Sequence, residues 1–256
     1  MELVDILHGS FSLLYVIISF AIGLIILFKY LKFKNRLYIL VGLTWIFLSF
    51  PWLPDSISFL MNLFARTSLA SEWYFIIGNV FIPIALISWI IAYTDMINKE
   101  KQKLAVAIIV IFSIVFEIIF FFTLFFIDIN LIGVIDPLIP FSADLGMLLI
   151  IFLLITMLIM LTTGLQFAQK SIKSEDKEVK LKGKLLRGAF ITFTIAALLE
   201  KAARSILLGV VFQNPSDPLL TVMLAIVRVL LVLSGFAFYG GFLLPRWIKE
   251  IFMRKE

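Results

Sequence analysis

Five ionisable side chains stand inside apolar runs that are long enough to cross a membrane. They are Glu117, Glu200, Lys201, Arg204 and Arg228. A charged group at the centre of a bilayer costs about 2.5–3.5 kcal/mol on insertion scales, so these side chains must face the interior of a helix bundle and pair there. Groups of this kind bind ligands or ions, relay protons, or form ion pairs that fix how helices pack.

The spacing of these charges predicts a charged face on one helix. Glu200 and Arg204 are four residues apart, with the acid first, which is the favourable order for a helical ion pair. Lys201 lies three residues before Arg204 and shares this face. Only residues 213–217 separate this run from the next, so the two helices are predicted to be antiparallel neighbours, with Arg228 close to Arg204.

Two neighbouring guanidinium groups require an anion. Glu117, Asp144 at the outer end of its run, or a bound ligand would supply it. Because the five intramembrane charges sum to +1, an anionic ligand is one candidate. Ion pairs that only fix helix register are an equally open alternative, and snorkelling at helix ends is a third. The ligand-binding residues predicted on this basis are Arg204, Arg228, Lys201, Glu200, Glu117 and Asp144.

Seven apolar runs must position these residues. Hydrophobic residues make up 62% of the 256-residue chain and its mean hydropathy is +1.11, whereas soluble domains contain about 45–50% apolar residues. About 20 apolar residues form one helical crossing, and no alternating pattern indicates a barrel. The predicted fold is therefore an all-α, seven-transmembrane-helix bundle in one domain, residues 1–256. The runs are 9–29, 37–54, 73–95, 104–126, 143–168, 186–212 and 218–243.

The basic residues predict the orientation of the bundle. Eighteen of the 22 Lys and Arg residues lie in the four segments 29–36, 99–103, 170–187 and 246–255. The alternate connections carry acids and a single cation, Arg66. Since cytoplasmic loops are enriched in Lys and Arg, we predict a multi-pass protein of the cell membrane. Its N-terminus lies outside and its C-terminus in the cytoplasm. The basic clusters suit an anionic lipid leaflet, so no nucleic-acid partner is expected.

The residue inventory argues against most enzyme chemistry. The chain has no cysteine, which excludes disulfides and thiolate sites, and His8 is its only histidine. No nucleophile–base pair or metal-ligand cluster occurs, although Glu117 or Glu200 could act as a lone acid–base. The last run, 218–243, has no lysine that could hold retinal. We therefore predict a protein that is not an enzyme, with no catalytic residue, cofactor or metal.

Two outer connections have unusual patterns. After Pro51 and Pro54, Asp55 is predicted to be the N-cap of a short helix over residues 56–66. That helix lies on the membrane surface or extends the second span, and both alternatives are open. The apolar connection 127–142, broken by two prolines, is predicted to fold over the bundle as a lid.

Two further features concern residues within the spans. Pro83, one turn after Asn79, can kink the third span and present the Asn79 amide to the interior. The tryptophans lie mostly near span ends, which predicts an interfacial aromatic belt. They are Trp45, Trp52, Trp73, Trp89 and Trp247.

Three passages resemble a known family. A basic turn over residues 29–36 leads into a helix with Trp45; residues 72–78 (EWYFIIG) continue through a mid-span proline to Tyr93-Thr94; and residues 241–247 read GFLLPRW. Together they resemble the seven-helix N-terminal sensor region of prokaryotic histidine kinases. The resemblance implies a sensor. Since the sequence ends at Glu256, we expect no kinase domain to follow and a separate partner to carry the signal.

These observations favour a stand-alone membrane sensor or receptor-like protein. Its small or lipid-like ligand, which can be anionic, enters from the outer side beneath the 127–142 connection. Binding is expected to shift the sixth span against the seventh and so to signal to a cytoplasmic partner. A second copy of the same chain, in a homo-oligomer, is the other possible protein partner. A small-solute transporter or ion-conducting protein that uses the same charges is the alternative. A scaffold subunit whose charges only fix packing is a third hypothesis.

Overall fold

A computed structural model describes residues 3–136, 142–202 and 218–253 of the chain. The described part is almost entirely helical, and six of its helical segments are long and apolar enough to cross a membrane. This is the architecture of a multi-pass membrane protein. The helices are α1 (Leu3–Phe33), α2 (Arg36–Leu48), α3 (Leu53–Ala65), α4 (Ser71–Asn79), α5 (Ile82–Ile97), α6 (Gln102–Phe122), α7 (Met147–Ile172), α8 (Lys177–Ala202), α9 (Pro218–Leu243) and α10 (Arg246–Met253).

The six candidate spans correspond to six of the seven predicted runs. They are 6–33, 36–65, 71–97, 99–127, 147–172 and 225–243. The run predicted at 186–212 begins within α8 and ends outside the described residues. The all-α fold is thus confirmed, whereas the seventh span and the orientation stay predictions.

Three of the spans contain a break in the helix. A 3₁₀ turn, Phe50–Trp52, joins α2 to α3 and carries Pro51 at its start. Pro83 lies in the first turn of α5, directly after α4 has ended at Asn79. A π-helical turn, Thr123–Ile127, follows α6. Proline lacks the backbone N–H that a continuous helix needs, so the first two breaks follow from the sequence.

The connection after α6 forms a small antiparallel hairpin. Strand β1 (Gly133–Ile135) pairs with β2 (Ala143–Leu145), with Val134 opposite Asp144. The prolines of this connection, Pro137 and Pro140, lie outside the described residues. We name this end of the bundle the hairpin end. The opposite end carries the basic segments 29–36, 99–103 and 170–187 with α10, and we name it the basic end.

Six helices form a closed ring. In order around it, α1, α2, α5, α7, α8 and α9 each pack against the next, and α9 packs back against α1. Helix α6 lies outside this ring against α5, with Phe116 stacked on Phe152 of α7 at 3.5 Å between ring centroids. The backbones of α1 and α2 approach closely, because a Cβ on Gly42 would lie 2.8 Å from the Gly23 carbonyl oxygen. Only glycine fits there.

The prediction for the start of α3 was wrong. Asp55 is not an N-cap, since α3 begins at Leu53, with Trp52 at its N-cap position and Asp55 in its first turn. The buried face of α3 carries Asp55, Ser56, Ser58 and Phe59, while Leu63 and Phe64 are exposed. The polar side of α3 therefore faces the interior of the bundle, where charged and polar side chains of other helices contact Asp55. Residues 36–65 together form one candidate span, in agreement with the extension of the second span.

The tryptophans also divide differently from the prediction. Trp73 and Trp247 are about half exposed, as an interfacial belt requires. Trp45, Trp52 and Trp89 are at most 6% exposed and belong to the bundle core. The ring of Trp45 stacks on Phe238 of α9 at 4.3 Å, so shape and packing decided its position instead of the membrane interface.

Candidate functional site

A cavity of about 380 Å³ lies within the helix ring toward the hairpin end. Its volume is in the range of pockets that bind small molecules. The wall is formed by α2, α3, α4, α5, α7, α8 and α9, and by strand β2 of the hairpin. The residues that give the wall polar groups include Asp55, Tyr74, Asn79, Asp144, Thr156 and Glu200.

Arg228 and Glu200 form the central contact between α8 and α9. The Nη2 atom of Arg228 lies 2.8 Å from Oε1 of Glu200, and the two residues are 1% and 4% exposed. A buried charge is tolerated only when it is paired. The other carboxylate oxygen of Glu200 accepts a hydrogen bond of 2.8 Å from Trp52 Nε1. Both oxygens are therefore held by side chains from other helices.

Asp55 is the second acid beside Arg228. Its Oδ2 atom lies 3.6 Å from Arg228 Nη2 and 3.9 Å from His8 Nε2. Its Oδ1 atom accepts a hydrogen bond from the Tyr74 hydroxyl. We name His8, Asp55, Glu200 and Arg228, with Trp52 and Tyr74, the buried charge cluster; it joins α1, α3, α4, α8 and α9.

Local structure explains why these groups meet. Pro51 opens the 3₁₀ turn that carries Trp52, and Pro54 stands at the start of α3. The chain therefore turns directly before Asp55, and the first turn of α3 faces the ring. Ser56 donates to the Trp52 carbonyl oxygen at 2.9 Å, which satisfies its hydroxyl within the helix. The polar face of α3 is thereby compatible with burial.

An aromatic ring covers one side of the guanidinium group. The Trp52 ring centroid lies 5.8 Å from Arg228 Cζ, within the range of a cation–π contact. Tyr15 of α1 meets the Trp52 ring edge-on at 4.9 Å and is 1% exposed. Water is excluded from this side of the cluster, which strengthens the electrostatic attraction within it.

Several buried polar atoms have no hydrogen-bond partner among the described residues. On Arg228 these are Nε and Nη1; the Nη2 atom has its close ion pair but poor hydrogen-bond geometry. Trp45 Nε1 and Thr156 Oγ1 also have no hydrogen-bond partner among the described residues, and both side chains line the cavity. Most buried polar groups in proteins are satisfied, so these atoms mark places where a further polar group can bind.

The predicted site residues that the structure describes divide into three groups. Arg228 and Glu200 are brought together as described above. Asp144, on β2, is exposed and lines the cavity. Glu117 is half-buried on α6, outside the ring; its Oε2 atom has no hydrogen-bond partner and it forms no ion pair within the described ranges.

The prediction that all five intramembrane charges pair together therefore fails for Glu117. Its helix contacts α5 and does not complete the ring. Arg204 and the side chain of Lys201 lie outside the described residues, so their predicted roles stay predictions. In the described ranges, no group of three or more acidic, histidine or cysteine side chains is arranged to hold a metal.

Sequence reasoning missed Asp55, His8, Trp52 and Tyr74 as members of the cluster. One signal indicates Asp55: it is followed by Ser56 and Ser58, which give its helix a polar face opposite Phe64. The sequence predicts that Arg228 requires an anion, but the candidates it offers are Glu117, Asp144 or a bound ligand, and not Asp55. His8 and the two aromatic residues carry no comparable signal, since their roles depend on which helices meet.

Exposed polar contacts dominate at the basic end. Arg36 at the start of α2 donates two hydrogen bonds to Asp95 of α5, from Nε at 2.7 Å and from Nη2 at 2.5 Å. Gln102 of α6 donates to the same carboxylate at 3.0 Å. Lys249 of α10 pairs with Glu178 of α8 at 2.5 Å. These contacts tie the ends of neighbouring helices together at the surface.

The chain matches no protein-family model, and no curated protein matches it. The function must therefore be argued from the cavity and the buried charge cluster.

Proposed function

We propose that this protein is a seven-helix, receptor-like sensor of the cell membrane. In this proposal the hairpin end faces outside and the basic end faces the cytoplasm, in accord with the distribution of Lys and Arg. A small or lipid-like ligand occupies the cavity, and the helices around it transmit its presence to a cytoplasmic partner. The similarity to sensor regions of histidine kinases suggests the same class of function.

One observation carries the proposal: the cavity and the buried charge cluster share a wall. Asp55, Trp52, Tyr74 and Glu200 belong to the cluster and also line the cavity. A ligand in the cavity would thus touch the groups that hold Arg228. Because Arg228 and Glu200 join α8 to α9, a change in their contacts would alter how these helices pack.

The signal would be a shift between two arrangements of the bundle. A ligand changes such an equilibrium only by as much as its affinity differs between the two states. Polar contacts with Asp55 or Glu200 provide that difference, since they compete with Arg228 for the carboxylate oxygens. The basic end would then present a different surface, formed by the residues around α10 and the start of α8.

The first experiment asks whether the cavity is occupied in the membrane. Ala189 of α8 lines the cavity and is 1% exposed, so Ala189→Leu fills part of the space. Its neighbour Gly188 is exposed, and a Cβ there would meet nothing within 4 Å, so Gly188→Leu is the matched control. Native mass spectrometry would identify small molecules that remain bound after gentle extraction.

We expect wild type and Gly188→Leu to retain the same bound molecule and Ala189→Leu to lose it. Equal retention by all three proteins would place the molecule outside the cavity and remove the basis of the proposal. A transporter would instead show uptake of a labelled solute into liposomes that Ala189→Leu abolishes, which separates this alternative from a receptor.

A further inference from the structure

We propose that the cavity binds an amphiphile whose head group is a protonated amine. The head would lie at the hairpin end and the apolar body would extend toward the basic end. This inference rests on the proposed function, because it names the class of ligand for the same cavity. It replaces the anionic candidate with a cationic one on the basis of the wall.

The polar part of the wall is acidic. Three carboxylates line the cavity, those of Asp55, Asp144 and Glu200, and no Lys, Arg or His lines it within the described ranges. Ionised carboxylates only accept hydrogen bonds, so a head group there must donate. An ammonium group donates three hydrogen bonds and carries the complementary charge. Arg228 pairs with Asp55 and Glu200, so three carboxylates stand against one guanidinium group. The excess of negative charge disfavours a carboxylate or phosphate head.

Burial strengthens this selectivity. Asp55 and Glu200 are 7% and 4% exposed, whereas Asp144 is exposed at the hairpin. An amine would therefore meet Asp144 first and the two buried carboxylates deeper in the cavity. Exclusion of water strengthens the electrostatic interactions along this path, both with the carboxylates and with the Arg228 guanidinium that pairs with Asp55 and Glu200.

The deeper wall supplies a second, independent sign of a ligand. Trp45 and Thr156 line the cavity and are 3% and 2% exposed, yet Trp45 Nε1 and Thr156 Oγ1 have no partner among the described residues. The indole N–H is only a donor, while the hydroxyl both donates and accepts. Hydroxyl or carbonyl oxygens in the body of the ligand would satisfy these groups.

The remaining wall suits an apolar chain. Met160, Phe190 and Phe238 line the same cavity. Leu154 of α7 and Leu198 of α8 also line it and are 39% and 41% exposed. A chain longer than the cavity would leave between these two helices, where the surrounding medium is the bilayer.

The test compares three probes with the same chain and different heads: dodecylamine, dodecanol and dodecanoate. Binding is measured as a dissociation constant with the full chain in nanodiscs of zwitterionic lipid. We expect dodecylamine to bind about tenfold more tightly than the other two, as one charge-assisted contact provides. The protein's net charge of +5 would favour the anionic dodecanoate. Non-specific attraction to the whole protein therefore cannot explain tighter binding of dodecylamine.

Two pairs of variants locate the binding. Asp144→Asn removes an exposed carboxylate of the wall; Asp128→Asn is its control, since Asp128 is exposed at the same end and does not line the cavity. We expect Asp144→Asn to reduce the preference for the amine several-fold and Asp128→Asn to leave it unchanged. Ala189→Leu should abolish saturable binding, whereas Gly188→Leu should not.

The outcomes separate this inference from the proposed function. Dodecanoate or dodecanol binding as tightly as the amine, with loss in Ala189→Leu, would overturn the amine head and leave a ligand cavity. An amine preference unchanged by Asp144→Asn would overturn the placement of the head at the hairpin end. If no probe distinguishes wild type from Ala189→Leu, both the inference and the cavity as a ligand site fail.

Discussion

The two ends of this bundle use the same ion-pair chemistry in opposite environments. At the hairpin end, Arg228 is 1% exposed and meets two carboxylates that are also buried. At the basic end, the Arg36 side chain is 58% exposed, although its two hydrogen bonds to Asp95 have better geometry. By hydrogen-bond geometry alone, the Arg36–Asp95 pair would be expected to stabilise the protein more than the Arg228 pairs do. Desolvation reverses that order, because breaking a buried pair leaves an uncompensated charge while water replaces an exposed partner.

The largest expected effect comes from removing the central cation. Arg228→Met keeps much of the side-chain volume but leaves Asp55 and Glu200 buried without the guanidinium group of Arg228. We predict a loss of about 3–5 kcal/mol in the free energy of unfolding, measured by reversible unfolding in mixed micelles. Arg66→Met, at an exposed position, is the control and should change stability by less than about 0.5 kcal/mol. A loss below about 1 kcal/mol for Arg228→Met would break the comparison.

A double-mutant cycle would sharpen the comparison within the cluster. Glu200 lies 2.8 Å and Asp55 3.6 Å from the same Arg228 nitrogen. We therefore predict a larger coupling energy between Glu200→Gln and Arg228→Met, about 2–3 kcal/mol, than between Asp55→Asn and Arg228→Met, about 1 kcal/mol. The reverse order, obtained from the same unfolding measurements, would mean that Asp55 is the main partner of the guanidinium.

Trp52→Phe tests a neutral donor to the same cluster. The substitution removes the hydrogen bond from Trp52 Nε1 to Glu200 Oε2 and keeps an aromatic ring beside Tyr15. A hydrogen bond to a charged group contributes about 1.5–3 kcal/mol, so we predict a loss in that range. Trp247→Phe is the control because Trp247 is exposed on α10. Equal effects of the two substitutions would show that Glu200 does not depend on this donor.

The smallest effect is expected at the basic end. Arg36→Ala removes both hydrogen bonds to Asp95, yet it should reduce stability several-fold less than Arg228→Met does. Since the Arg36 side chain of this pair is exposed, added salt should reduce its contribution further, whereas the Arg228→Met effect should persist. Unfolding of both variants at low and high salt checks this. A salt-independent loss for Arg36→Ala as large as that for Arg228→Met would remove the difference between the two ends.

The sequence predicted the six candidate spans but not which helices pack against one another. Six apolar runs became candidate spans, and the cost of burying Arg228 correctly required an acid beside it. Local signals predict a capping role for Asp55, whereas its place in the structure depends on the turn at Pro51. Three-residue strands such as Gly133–Ile135 are too short to give a periodic pattern.

The position of α6 outside the ring could not be predicted from the sequence. Glu117 was expected to join the other charges because every intramembrane charge was assumed to face one interior. Its helix lies outside the ring, and its segment, 99–127, has the highest mean hydropathy of the six, 3.0, and the smallest buried share, 22%. High hydropathy was therefore a usable sign of a lipid-facing helix. Which helices close the ring depends on tertiary packing and could not be inferred from one sequence.

The most direct test of the account asks whether the cavity controls the basic end. Because the chain has no cysteine, Lys103→Cys on α6 and Glu250→Cys on α10 allow two spin labels without background. Their distance distribution would be measured by pulsed electron paramagnetic resonance before and after co-purified lipid is removed by detergent exchange. The account predicts that removal shifts the distribution in wild type and Gly188→Leu but not in Ala189→Leu. An unchanged distribution in all three proteins would contradict coupling between the cavity and the basic end.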